Sequence, residues 1–224
     1  RITSQGGLVD MRIRFDEQLK QLNKEMINMG TMIEKSIGDA VKALMKQDVE
    51  LAQKVMAGDE EIDRTERKIE DLCLRLLLQQ QPVARDLRNI SAALKMVTDM
   101  ERIGDHATDI SELAIVLSEK TYVKKLDHIE EMARETMVML IQSLEAYVEK
   151  DLDKAQKVIA HDDVIDDLFE EVKQELIELI RNHADEGEQA VDLLMVTKYF
   201  ERIGDHATNI AEWVIFSITG QIAG

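Results

Sequence analysis

The sequence predicts an all-α protein built from two homologous three-helix bundles. Three observations support this. First, the 224 residues include only 10 glycines and 1 proline, and such a composition favours long helices. Second, Glu101–Thr108 recurs unchanged as Glu201–Thr208. Third, apolar residues at spacings of three and four run through 93–117 and again through 193–214, which is typical of a helix packed in a bundle.

The repeat extends beyond this identical segment. Ala52–Val55 recurs as Ala155–Val158, and Ile62-Asp63 recurs as Ile165-Asp166. The offset between copies is 103 there and 100 in the later match, so the first copy has three more residues in between. We place these near Pro82. Self-similarity over so long a period indicates two copies of one structural unit.

The boundaries follow from this duplication. We predict one repeat over 11–121 and a second over 122–224. We expect residues 1–10 to be a remnant of an expression tag, with Met11 as the native start. The predicted helices are 16–46, 48–80, 83–118, 124–149, 152–183 and 188–218.

Several residues mark where helices start or stop. Asp48 and Asp151 are suited to the N-cap position, because an aspartate oxygen can accept from the free amides of a first turn. Pro82 suits the first turn of the third helix, where its missing N–H costs nothing. Gly187 is available for the break before the sixth helix.

Composition excludes several classes of function. The net charge of -17 argues against nucleic acid as a partner. A single cysteine, Cys73, within an apolar run is expected to be a reduced core residue. No stretch reaches the roughly 20 apolar residues needed to span a bilayer, and no signal peptide is visible. We therefore expect a soluble, cytoplasmic protein.

The repeated segment carries a row of acidic side chains. Glu101, Asp105, Asp109 and Glu112 fall within about 80° of helical arc, centred about 180° from the apolar stripe. The second copy has Glu201, Asp205 and Glu212, with Asn209 in place of Asp109. Like charges one turn apart repel each other. A divalent cation bound between them, such as Mg²⁺, Mn²⁺, Ca²⁺ or iron, would make their arrangement favourable.

Most acidic stripes are solvated faces, and 45 of the 224 residues are Asp or Glu. Duplication favours a metal site here, because the acids recur while their neighbours change. A second pair of acids lies on the middle helix of each half: Asp59 and Asp63, then Asp162 and Asp166. These pairs could complete a metal cluster beside the third helix. Equally, they could be first-turn acids that complement a helix dipole.

The other repeated positions have structural explanations. We expect the histidines to be exposed or hydrogen-bonded, the arginines to pair with nearby acids, and the glycines to allow close helix approach: His106, His206, Arg102, Arg202, Gly104 and Gly204. No phosphate-binding loop, His-Glu-x-x-His motif or Glu-x-x-His pair on the acidic helices is present. We expect a protein that is not an enzyme. A carboxylate-bridged metal enzyme resembling an oxidase and a metal-free helical adaptor are the alternatives.

The repeated Glu-Arg-Ile-Gly-Asp-His-Ala-Thr segment resembles the signature of the PhoU family. Phe15–Leu19 and Gln81–Arg88 resemble the family too. The resemblance implies two three-helix bundles side by side in a cytoplasmic protein, usually a homodimer. It also implies negative regulation of phosphate uptake and of the phosphate regulon. The implied partners are the ATPase component of the phosphate ABC transporter and a phosphate-sensing histidine kinase, with the membrane reached only through partners.

The resemblance further implies metal ions on the acid motifs, among which iron, zinc, magnesium and manganese are the candidates. By position, the ligands it implies are Glu101, Asp105, Asp109, Glu201 and Asp205, followed by Asp59, Asp63, Asp162 and Asp166. Asn209 keeps one oxygen ligand but lacks the charge of Asp109, so the second site is expected to be weaker.

Overall fold

The computed structural model describes residues 3–79 and 82–222. Its helices are α1 (Thr3–Lys46), α2 (Val49–Gln79), α3 (Ala84–Leu117), α4 (Asp127–Glu149), α5 (Leu152–Asn182) and α6 (Gly187–Thr219). A single 3₁₀ turn, Ala184–Glu186, separates α5 from α6. Within the described ranges the chain has no strand, which confirms the all-α prediction.

The six helices form two three-helix bundles. Helices α1, α2 and α3 pack against one another, and α4, α5 and α6 repeat that arrangement. The bundles meet through α3 against α6 and, less extensively, through α1 against α4. The two copies of the repeated segment therefore face each other at the centre of the molecule.

The predicted apolar stripes form the core. Ile103 and Ala107 of α3 are fully buried, as are Ile203 and Ala207 of α6. Burial of such stripes is the main source of stability for helices of this length. Among the described helices, none combines the length and apolarity needed to cross a membrane.

The predicted N-caps are confirmed at both equivalent turns. The amide of Leu51 donates to Asp48 Oδ1 at 3.0 Å, and the amide of Lys154 donates to Asp151 Oδ1 at 2.9 Å. The residue before each aspartate has left-handed backbone, with φ of 54° and 56°. The duplication thus extends to the details of a turn.

Several expectations about helix starts differ from the structure, among them the start of α4, which is Asp127 rather than residue 124. Helix α1 begins at Thr3 rather than near residue 16, because the residues after Gly6-Gly7 are mostly good helix formers and include no proline. Pro82 precedes α3, since Val83 is extended with ψ of 157°. Gly187 has φ of -58°, so the break before α6 does not use its conformational freedom.

The three additional residues predicted near Pro82, and Gln81 of the family-like segment, fall partly or wholly outside the described residues. The assignment of 1–10 and the 121/122 boundary stay predictions.

Candidate metal centre

Acidic side chains of α2 and α3 meet in the first bundle. Carboxylate oxygens of Asp59, Asp63 and Asp105 lie within 4.8 Å of one another, and so do those of Asp63, Glu66 and Glu101. Asp63 belongs to both groups, so the five residues form one continuous cluster, which we call the first cluster. All five are partly buried. Three convergent carboxylates provide the hard oxygen ligands that divalent cations prefer.

Helical spacing and close packing bring these groups together. Asp59, Asp63 and Glu66 are four and three residues apart, so they lie on one face of α2. Glu101 and Asp105 have the same relation on α3. A Cβ atom added at Gly104 would lie 3.2 Å from Ile62 Cγ2, tighter than an ordinary contact. The glycine therefore allows the close helix approach expected of it, right beside the acids.

The position of the α2 acids excludes one alternative. Asp59 lies ten residues after Val49, where α2 begins, and Asp162 lies ten residues after Leu152, where α5 begins. Favourable interaction with the helix dipole falls off within the first turn. These aspartates are therefore not first-turn acids, and the dipole does not explain them.

Burial and mutual repulsion disfavour negative charge in the first cluster. Burial raises the pKa of Glu101 to about 8, reinforced by a hydrogen bond with Asp105 and by the charges of Asp105 and Glu66. Burial also raises the pKa of Asp59, reinforced by Asp63 and Asp105. Fully ionised, this cluster needs a positive partner.

Two oxygens of the first cluster lack any partner. The Oδ1 atoms of Asp59 and Asp63 are buried and form no hydrogen bond of ordinary geometry with the described residues, and the same holds for Asp162 Oδ1 in the second bundle. An interaction with the Thr108 hydroxyl opposes the rise in the pKa of Asp59. A buried carboxylate oxygen without a partner is costly, and unpaired buried groups of this kind mark sites for an ion or water. The residues present therefore fit a metal ion.

The two repeated arginines behave differently. The Arg102 guanidinium lies 3.9 Å from Glu101 and 3.5 Å from Asp105, which confirms the predicted pairing. Its side chain is 61% exposed, so it borders the cluster rather than entering it. Arg202 forms no ion pair with the acids that the structure describes. Its guanidinium lies 6.0 Å from the Tyr199 ring centroid instead.

The second bundle has an equivalent but looser group, which we call the second cluster: Asp162, Asp166, Glu201 and Asp205. Burial raises the pKa of Asp162 to about 6, reinforced by Asp166 and Asp205. Asp166 and Asp205 are exposed, unlike their counterparts in the first bundle. In the described part of the second bundle, no three acids bring their oxygens within 4.8 Å of one another.

Two positions beside the clusters differ between the copies. Phe169 stands where the offset of 103 predicts the counterpart of Glu66, and Lys198 is the counterpart of Thr98. The Lys198 ammonium lies 2.6 Å from Glu201 Oε1. Sequence reasoning missed Glu66, although its spacing of three residues from Asp63 was a usable signal.

The remaining two candidate ligands lie outside both clusters. Asp109 Oδ2 is 3.2 Å from His106 Nδ1, and Asn209 donates to Asp99 Oδ1 at 3.2 Å. Both belong to the surface where α3 meets α6. Their assignment as metal ligands stays a prediction.

The histidines occupy the same surface. The His106 and His206 rings stack with centroids 5.6 Å apart, and His206 Nδ1 is 2.8 Å from Asp99 Oδ1. The expectation that these side chains are hydrogen-bonded is confirmed. They join the two bundles, which sequence periodicity alone could not show.

Comparison with known proteins assigns the chain to a family. The PhoU domain matches twice, over residues 26–114 and 129–214. The chain is 40% identical over 208 residues to a phosphate-specific transport system accessory protein PhoU homolog of Clostridium acetobutylicum, covering 92% of this chain and 95% of that protein. It is 37% identical to the homolog of Caulobacter vibrioides, covering 92% of this chain and 90% of that protein.

Solved structures agree. The crystal structure of PhoU from Pseudomonas aeruginosa matches with a TM-score of 0.89 and 33% identity, covering 92% of this chain and all of that one (100%). The phosphate transport system regulatory protein PhoU from Streptococcus pneumoniae matches with a TM-score of 0.87 and 26% identity, covering 94% and 99%. The chain therefore belongs to the PhoU family and contains the family's domain twice.

Proposed function

We propose that this protein is a cytoplasmic negative regulator of phosphate uptake and of phosphate-regulon signalling. The observation that carries the proposal is near full-length similarity to accessory proteins of phosphate-specific transport, which supports a role in the phosphate system. In this role it links the ATPase component of the phosphate ABC transporter to a phosphate-sensing histidine kinase. It restrains both when phosphate is plentiful, and it acts as a homodimer.

The proposed role requires no catalysis by this chain. The relatives are named as accessory proteins and not as enzymes, which is consistent with a non-enzymatic regulator. Acidic surfaces suit binding to basic faces of partner proteins, and the net charge of -17 favours such partners.

We further propose that the first cluster holds a divalent metal ion, with iron, zinc, magnesium and manganese as the candidates. Asp59, Asp63 and Asp105 would bind it, and Glu66 and Glu101 would extend the site. Support comes from the unpartnered buried oxygens of Asp59 and Asp63 and from the raised pKa of Glu101. A bound cation neutralises these charges and ties α2 to α3, so its role in this chain is to stabilise the first bundle.

The regulatory role is tested with a phosphate-regulon reporter in cells that lack this protein, grown in high phosphate. We expect high reporter output without the gene and silencing when the wild-type gene returns. Output that does not change on either step would contradict the regulatory proposal.

The contribution of the metal site is tested in the same cells with the double variant Asp63→Asn, Asp105→Asn. We expect this variant to silence the reporter less completely than wild type. Glu61→Gln is the matched control, because Glu61 is an exposed acid of the same helix α2. Equal silencing by the wild type, the double variant and the control would show that regulation does not depend on the metal site.

A further inference from the structure

We infer that the ammonium group of Lys198 serves as the built-in cation of the second cluster, so that divalent metal binds the first cluster and not the second. The inference rests on the metal site proposed above, and it assigns the two halves of the duplication different roles. It is carried by the surroundings of Lys198 and by the counterparts of those residues in the first bundle.

Lys198 is positioned at the second cluster by two contacts. Its Nζ atom lies 2.6 Å from Glu201 Oε1, and the Glu201 side chain is only 16% exposed. The same Nζ atom lies 5.3 Å from the centroid of the Phe169 ring, within cation–π range. The Lys198 side chain is 41% exposed, so these two contacts hold its ammonium at the edge of the second cluster while leaving it partly in contact with water.

The charge of Lys198 reaches two of the three other acids of the second cluster. It opposes the upward shift in the pKa of both Asp166 and Asp205. Lys198 therefore supplies to this group part of the compensation that a metal ion would supply.

The first bundle lacks both features. The position equivalent to Lys198 is the exposed Thr98, and the position equivalent to Phe169 is the acid Glu66. Arg102 is the nearest cation to the first cluster, but it lies 3.5 Å or more from the acids and is largely exposed. The first cluster thus has five carboxyl groups and a largely exposed cation at its border, whereas the second has four carboxyl groups and an ammonium paired with one of them.

Both differences should lower the affinity of the second cluster for a divalent metal ion. A divalent cation at the second cluster would have to displace or repel the ammonium, and it would meet an aromatic ring where the first cluster offers an oxygen ligand. Oxygen-bound divalent cations need several such ligands, and a like charge a few ångströms away costs interaction energy. On this inference, Lys198 and Phe169 lower the metal affinity of the second cluster in addition to any effect of Asn209 in place of Asp109.

The test is Mn²⁺ binding by equilibrium dialysis, with metal content as the readout. Asp59→Asn with Asp63→Asn disables the first cluster by removing two of the three carboxylates proposed to bind the ion. We expect this background to lose the Mn²⁺ binding of the wild type at equal free Mn²⁺. Adding Phe169→Glu and Lys198→Thr, which copies the first bundle into the second, should tighten the remaining binding about tenfold or more.

The reciprocal variant Glu66→Phe, Thr98→Lys should weaken Mn²⁺ binding about tenfold or more in an otherwise wild-type chain. Lys173→Thr is the control for charge, because it removes an α5 lysine of similar exposure that pairs with Glu170, an acid of neither cluster. Helical circular dichroism of every variant should match that of the wild type.

Two results would overturn the inference. One is retention of wild-type Mn²⁺ binding by the background that lacks the first cluster. The other is no gain of binding from Phe169→Glu with Lys198→Thr. A wild-type protein that binds no Mn²⁺ contradicts the proposed metal site instead, and in that case the gain or lack of gain from these two substitutions still decides the role of Lys198.

Discussion

Asp99 of α3 accepts a hydrogen bond from His206 of α6, with 2.8 Å between the carboxylate oxygen and Nδ1. The counterpart contact on the other side of the interface is different. His106 stacks on Tyr199, which is the residue equivalent to Asp99, with ring centroids 5.5 Å apart. Equivalent positions thus meet across α3 and α6, but one contact is a hydrogen bond to a carboxylate and the other is a stack on an aromatic ring. At this interface the histidine shared by both copies meets a residue that differs between them, Asp99 in one half and Tyr199 in the other.

Loss of Asp99 should weaken the contact between the bundles. Asp99→Ala removes the acceptor for both His206 and Asn209, and its side chain is only 15% exposed. We expect the free energy of unfolding to fall by about 1–2 kcal/mol, measured by urea denaturation. Lys95→Ala, at an exposed position of the same helix, is the control. Equal effects of the two substitutions would show that the interface contact contributes nothing.

Helix periodicity and duplication were enough to predict most of the fold. The residues that make helices and turns act locally, as Asp48 and Asp151 do when they cap their own helices. Local interactions can be read from spacing because helical geometry fixes which side chains are neighbours.

The arrangement of the bundles could not be predicted in this way. The stacking of His106 on His206 depends on how α3 meets α6, and no periodicity encodes that. Equally, whether Asp59 faces Asp105 depends on the packing of α2 against α3. The sequence did contain the signal for the difference between the clusters, since alignment of the two halves pairs Glu66 with Phe169 and Thr98 with Lys198.

The two repeated glycines should respond differently to alanine. At Gly204 an added Cβ would lie 3.5 Å from Ile165, which is an ordinary contact, whereas at Gly104 it would lie 3.2 Å from Ile62. Alanine is favoured over glycine in a helix by about 1 kcal/mol. We expect Gly204→Ala to stabilise the protein by up to about that amount and Gly104→Ala to gain less or to destabilise it. Thermal denaturation compares the two, and a larger gain at Gly104 would contradict the packing described here.

Without metal, stability should fall as pH rises. The pKa of Glu101 is raised by burial and by Asp105 to about 8 in the folded protein, above its ordinary value of 4.5. The folded state therefore holds a proton that the unfolded state releases between these values. The contribution of Glu101 to the free energy of unfolding is therefore highest below pH 4.5 and decreases as pH rises towards 8.

Urea denaturation in the presence of a chelator should show this decrease, by at least about 1 kcal/mol from Glu101. Glu101→Gln, which mimics the protonated acid, should reduce this fall in the free energy of unfolding with pH, whereas Glu61→Gln should leave it unchanged. If Glu101→Gln leaves the fall in stability with pH unchanged, that fall is not caused by Glu101. Added Mn²⁺ should stabilise the wild type most at the higher pH, because the ionised carboxylates bind the cation.

Cys73 should be unreactive in the native protein. Its side chain is fully buried, and burial raises the pKa of its thiol to about 12. The thiolate is the reactive form, so a thiol reagent at neutral pH should modify it only after unfolding. Reaction is followed by absorbance with and without urea. Rapid modification of the folded protein would show that this part of α2 opens readily.

The most direct test of the central claim is to locate the metal. Crystals grown with Mn²⁺ would be measured for anomalous scattering, which identifies the ion's position without reference to function. We expect an anomalous peak among the carboxylates of Asp59, Asp63 and Asp105, and none beside Lys198 at the second cluster. Absence of a peak at the first cluster, or a peak only between Asp166 and Asp205, would contradict the account.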